Sequence, residues 1–168
     1  MGPIASSARI VHVLVTSLWL GASVFFMILA PTLFDIVSSR HEATEVITAA
    51  LAKIDLFGIF AGPLLLVTLV AGWLPLQTPL RLRALITLGM TVAVGVSGQW
   101  ITPRLVQIQA AMGRPLQDMD PTSVAMIEYD QLHTVSSGLM VFHVAAALLL
   151  LVLSVRASRP KRSFGIEL

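Results

Sequence analysis

The sequence predicts an all-α, polytopic membrane protein: a four-transmembrane-helix bundle with helices extended on the outer side. Three observations carry this expectation. Hydrophobic residues make up 56% of the 168 positions and charged ones 12%, against about 25% charged in soluble proteins, so a polar globular surface cannot be assembled. Four runs lack formal charge, Val11–Phe34, Leu56–Leu80, Ala84–Pro103 and Gln131–Val155, each long enough to cross a bilayer as one helix. Within the runs, small and polar residues recur at helical spacing, the pattern of a face turned toward partner helices rather than lipid. The length suits a single domain, residues 1–168, with spans at about 9–30, 56–76, 84–102 and 131–155.

The first span carries His12, Thr16, Trp19, Ser23, Phe26 and Ala30 on one stripe, with Gly21 opposite. Pro31 is expected to end or kink it. The run is too long for a signal-peptide core and is read as retained. Ser39 followed by Glu42 fits a capping box, and Val46, Ile47, Ala50, Leu51 and Ile54 then make an amphipathic outer segment over 40–55. That segment either lies on the membrane or extends the second span. Gly58 and Gly62 stand four apart beside Pro63 and can admit a close neighbour, a weak signal in apolar sequence.

The inner turn Pro75–Arg83 is short, which makes spans two and three antiparallel neighbours. The third span ends near Gln99, Trp100, Thr102 and Pro103, and a helical pattern continues to a stop at Gly113. Asp120 followed by Pro121 is the expected restart, as N-cap and first helical residue. The last span places His133, Ser136, Ser137, Met140, His143, Val144 and Ala147 on one face, with Val135, Leu139, Phe142, Leu149 and Leu153 on the other. From Arg156 the tail, 156–168, is basic and interfacial.

Orientation follows from Lys and Arg. The side holding both ends carries seven (Arg9, Arg81, Arg83, Arg156, Arg159, Lys161, Arg162) and the other carries four (Arg40, Lys53, Arg104, Arg114). Both termini are therefore expected in the cytoplasm, in a bacterial inner membrane. The chain has no cysteine, which removes disulfides, iron–sulfur clusters and zinc-thiolate sites. There is no basic, aromatic-studded surface for nucleic acid, and no phosphate loop, nucleophile elbow, zinc motif or catalytic triad, so no enzymatic activity is expected.

Two groups of residues can carry chemistry. His12 and His143 are candidates for a haem, pigment or other cofactor, because one imidazole can hold a metal if its second nitrogen finds an acceptor. By helical rise their depths differ by roughly 15 Å, which argues against a facing axial pair. A neutral histidine hydrogen-bonded across a packed seam accounts for the same positions. At the outer end, His133, Asp130, Glu128 and His41 are candidate metal ligands, since carboxylate and imidazole together bind divalent cations or relay protons. Solvated or paired helix-end charges explain them equally.

Trp19-Leu20-Gly21, Ala30 to Phe34, Thr102-Pro103 and Leu132 to Ser136 resemble the transmembrane-protein-205-like family of four-helix membrane proteins. More distantly, His12 with Trp19 and Gly21 is similar to copper-resistance protein D-like membrane proteins. The first resemblance implies Trp19, Gly21, Pro31, Phe34, Pro103, His133 and Ser136 as family positions without assigning a reaction. The absence of a catalytic constellation and the small-residue faces on the second and third spans lead to the expectation of a non-enzymatic accessory or scaffold subunit in contact with the lipid bilayer and with a larger membrane complex or a second copy. A His-ligated haem, pigment or metal protein in electron transfer, and a small-solute or metal-ion transporter, are the alternatives.

Overall fold

The computed structural model describes residues 2–73, 78–112 and 120–158. Five α-helices and one π-helical turn account for nearly all of them: α1 Pro3–Ile36, α2 Arg40–Trp73, α3 Thr78–Val96, the π-turn Ser97–Ile101, α4 Thr102–Met112 and α5 Val124–Ser158. The stretch from α3 through the π-turn to α4 is continuous, so four rods are long and apolar enough to cross a membrane. A 34-residue helix such as α1 reaches about 51 Å, well beyond a hydrocarbon core of about 30 Å. There is no strand among the described residues. The chain is a small multi-pass membrane protein.

The stripe expected on the first span is the buried face of α1: its buried residues are His12, Thr16, Trp19, Ser23 and Phe26. Thr16 and Ser23 turn their hydroxyls back to the carbonyls of His12 and Trp19, at 2.8 and 2.9 Å, so neither leaves a polar atom unpaired in the interior. Trp19 anchors the core, fully buried with Ala61, Leu65, Met90, Val94, Ala147 and Leu150 around it. Gly58 and Gly62 create the room for this. A Cβ at Gly58 would lie 2.7 Å from both Trp19 Cζ2 and Val94 Cγ1, and one at Gly62 would collide with the Thr91 side chain. The spaced glycines are the crossing point of α1, α2 and α3.

Three boundaries complete or depart from the sequence expectation. Pro31 does not end α1, which continues to Ile36; membrane helices tolerate proline where other groups compensate for the lost backbone bond. The amphipathic segment extends α2 rather than standing apart, and Ser39 Oγ accepts the Glu42 N–H at 3.3 Å. At the start of α5, Asp120 instead closes a turn, its carboxylate accepting the Thr122 N–H and hydroxyl at 2.8 and 2.7 Å, which holds its pKa below the usual carboxylate range. Ser123 is the cap, accepting the Met126 N–H at 3.3 Å. The expected stop at Gly113, positions 75–77 of the inner turn and the tail beyond 158 lie outside the described residues.

Candidate functional site

The interior polar groups fall into an inner cluster and a middle cavity, and an outer vestibule lies beyond them. At the inner end His12 is fully buried. Its Nδ1 lies 3.2 Å from the Leu65 carbonyl and 3.1 Å from Thr68 Oγ1. A carbonyl only accepts, so the imidazole proton is on Nδ1 and is shared between the two oxygens. Thr68 in turn donates to the Leu64 carbonyl at 2.9 Å. Trp73 stands edge-on to the His12 ring at 5.2 Å, and two guanidiniums stack on it, Arg83 at 4.5 Å and Arg9 at 5.4 Å from the ring centroid. Arg9 Nε also donates to the Gly72 carbonyl at 2.6 Å. Hydrogen bonding and cation–π contact thus tie α1, α2 and α3 together at this end.

The middle cavity is the more informative feature. About 20 Å³ in volume and lined by Trp19, Ser23, Asp55, Ser97, Ser136 and His143 among others, it has room for about one water. Asp55 is 4% exposed and His143 3%. Burial of a carboxyl at this depth is costly, and such groups in membrane proteins face the bundle interior and mark functional positions. Oδ2 of Asp55 accepts from the hydroxyls of Ser97 at 3.3 Å and Thr102 at 3.4 Å. Ser97 opens the π-turn and Thr102 follows it: the wider turn carries both hydroxyls to the same oxygen, and Gly98 lets the backbone approach, a Cβ there lying 3.1 Å from Asp55 Cβ. Interruptions of this kind recur at functional sites. Opposite, the His143 ring packs on Trp19 with centroids 4.4 Å apart. Neither ring nitrogen of His143 has a hydrogen-bond partner among the described residues.

Beyond this cavity, toward the outer end, a vestibule of about 370 Å³ opens between α1, α2, α4 and α5. Ser136 and Met140 line both spaces, so they adjoin. Pro31, Phe34, His133 and Ser136 all border the vestibule, and Trp19 borders the cavity beneath it.

The outer residues singled out as metal candidates do not gather. Glu128 is engaged by Arg104 in a bidentate pair at 2.7 and 3.0 Å. His41 pairs with Glu45 on its own helix at 3.4 Å, both well exposed. His133 stacks on Tyr129 at 6.1 Å, and Asp130 is exposed. Among the described residues, no three His, Asp or Glu side chains come together to hold a metal ion. His12 and His143 are both interior, yet each is enclosed by packed side chains. The cavity at His143 has space for a water and none for a porphyrin. Gly21 faces open space, with nothing within 4 Å of a Cβ built there, and Pro103 is exposed at the start of α4.

Asp55 is the residue that the sequence did not single out. It ends the amphipathic segment among Lys53 and Glu45 and reads there as one more outer charge. The usable signal was its position beside an uncharged run that begins at Leu56.

A family model described as a domain of unknown function (DUF4149) matches residues 14–114, more than half of the chain. The chain belongs to that family. No curated protein and no solved structure matches it. The stretch matched to DUF4149 contains Trp19, Ser23, Asp55, Ser97 and Thr102, whereas His133, Ser136 and His143 on α5 lie beyond it.

Proposed function

We propose that this protein transports protons across its membrane, with Asp55 taking the proton up and His143 receiving it. One observation carries the reading: a carboxyl and an imidazole, both removed from bulk solvent, border a single water-sized cavity inside a bundle of apolar rods. A proton passing from Asp55 Oδ through one water to a ring nitrogen of His143 leaves a carboxylate and an imidazolium, and reverses by the same route. The cavity adjoins the outer vestibule along Ser136 and Met140. On the inner side Leu65, Met90, Ala147 and Leu150 form a dry layer around Trp19, so onward passage needs a rearrangement of helices. That is the behaviour of a gated carrier rather than an open pore.

The accessory-subunit reading finds its room at Gly21 and Gly95, where nothing lies within 4 Å of an added Cβ, whereas Gly58, Gly62 and Gly98 are covered from within by Trp19 and Val94, by Thr91 and by Asp55. Resemblance to the transmembrane-protein-205-like family supports the multi-pass architecture and assigns no reaction. The seven-to-four excess of Lys and Arg supports cytoplasmic termini in a bacterial inner membrane.

The test uses proteoliposomes holding a pH-sensitive dye, with a valinomycin-clamped potassium gradient to drive proton entry. Wild type should acidify the lumen, and Asp55→Asn should slow this by at least about tenfold, the scale on which loss of a positioned proton-transfer group acts. Equal rates for the two, or no flux above empty liposomes, overturn the reading.

A further inference from the structure

The outer vestibule has features that the proton site does not use. Its volume of about 370 Å³ falls in the range of small-molecule pockets, about 300–1,000 Å³. Apolar side chains of α1, α2, α4 and α5 make up most of its walls, and no Asp, Glu, Lys or Arg lines it. Arg104 and Glu128, next in sequence to the lining residues Leu105 and Tyr129, are mutually engaged. Met27, Phe34 and Val141 on its rim are 40%, 43% and 56% exposed, and by helix register they border the lipid-facing flanks of α1 and α5. The vestibule therefore has an apolar edge on the flanks of α1 and α5 that face lipid.

Its polar side chains come from α2 (Thr44, Thr48), α4 (Gln109) and α5 (Tyr129, His133, Ser136, Ser137). Gln109 Nε2 donates to the Tyr129 hydroxyl oxygen at 3.2 Å, which leaves the Tyr129 O–H as a donor. Tyr129 is held in place by its parallel stack on His133, with an interplanar angle of 4°. Ser136 and Ser137 continue the polar edge along α5. A cavity without carboxylate, ammonium or guanidinium groups, with a phenol donor held by Gln109 and His133 and an apolar edge, suits a particular chemistry: no net charge, an apolar body and an oxygen acceptor at the head.

We infer that the vestibule binds a neutral amphiphile drawn from the bilayer, its oxygen-bearing head accepting a hydrogen bond from Tyr129 and its apolar body lying along α1. Binding here needs no titration of Asp55, so it is separable from proton transport.

The experiment is photolabelling of the full chain in nanodiscs with a diazirine-bearing long-chain fatty alcohol, read by peptide mapping. Labelling should saturate, concentrate on residues 26–34 of α1 and 129–141 of α5, and fall with excess unlabelled fatty alcohol. Ala30→Trp, which fills the vestibule, should abolish the saturable part. Tyr129→Phe, a milder change that keeps the His133 stack, should weaken competition by about three- to tenfold, the effect of one lost hydrogen bond. Asp55→Asn should leave labelling unchanged, which keeps failure of this inference distinct from failure of the proton reading. Labelling that never saturates and spreads over outward positions such as Leu14 and Leu85 overturns it, as does labelling indifferent to both vestibule variants.

Discussion

Replacing Gly58 with alanine tests the central packing claim, and its expected size follows from the contacts. The added methyl would sit 2.7 Å from Trp19 Cζ2 and 2.7 Å from Val94 Cγ1. Trp19 is fully buried and Val94 nearly so, and the ring is pressed between Phe57 and His143, so neither neighbour can swing aside. Inserting one methyl group into a full core costs about 1–3 kcal/mol. Alanine also favours a helix over glycine by up to about 1 kcal/mol, which would mask part of that cost. Gly21→Ala supplies the correction, since nothing lies within 4 Å of its Cβ and it gains the same helical preference without a clash. The stability difference between the two variants therefore isolates the overpacking, and Gly58→Ala should be the weaker by about 1–3 kcal/mol. Steric-trap unfolding in bicelles reads that difference directly. Equal stability, or a more stable Gly58→Ala, would show that α2 does not cross Trp19 at this point.

Two further outcomes follow. Thr68→Val removes one of the two oxygens that share the His12 Nδ1 proton and should cost about 0.5–1.5 kcal/mol in the same unfolding measurement, whereas a neutral result would mean that the Leu65 carbonyl alone suffices. Because the chain contains no native cysteine, single cysteines at Ser6, Ala157 and Thr122 can be tested with a membrane-impermeant thiol reagent: the first two should label from the cytoplasmic side and Thr122 from the other, and any split between Ser6 and Ala157 would refute an even number of crossings.

Helix positions and the buried face of α1 were legible in the sequence because lipid imposes a simple rule. Every backbone polar group must be satisfied within a helix, and every polar side chain turned inward, so the spacing of His12, Thr16, Trp19 and Ser23 is enough to identify the buried stripe of α1. Gly58 and Gly62 were visible as a pair but not as the crossing point, since glycine spacing does not reveal which neighbour occupies the gap. The middle cavity was half legible. His143 stood out by its depth in an uncharged run, while Asp55 did not, because its partners Ser97 and Thr102 lie over forty residues away. The two hydroxyls, five positions apart, reach the same oxygen only across a π-turn, and ordinary helical arithmetic at about 100° per residue does not anticipate one. At the start of α5 Asp120 was the expected cap, yet Ser123 three residues on takes that place, and local chemistry alone does not rank the two. His41, Glu128, Asp130 and His133 share the outer end in sequence terms, but Arg104 and Glu45 claim two of them.

The wide turn at Ser97–Ile101 behaves like an absorbed insertion. It stores one residue more than an ordinary turn would, so the flanking helices keep their phase on either side of it: Ala93 and Val94 before it and Leu105 and Ile108 after it all reach the core. Shortening the loop of backbone by one position, at Gln99 or Trp100 where the side chains face outward, would let the third rod close up into plain α-helix with both halves still seated. What would be lost is the pairing of Ser97 and Thr102 on a single carboxylate oxygen. Architecture and chemistry are thus written into separable lengths of the same rod.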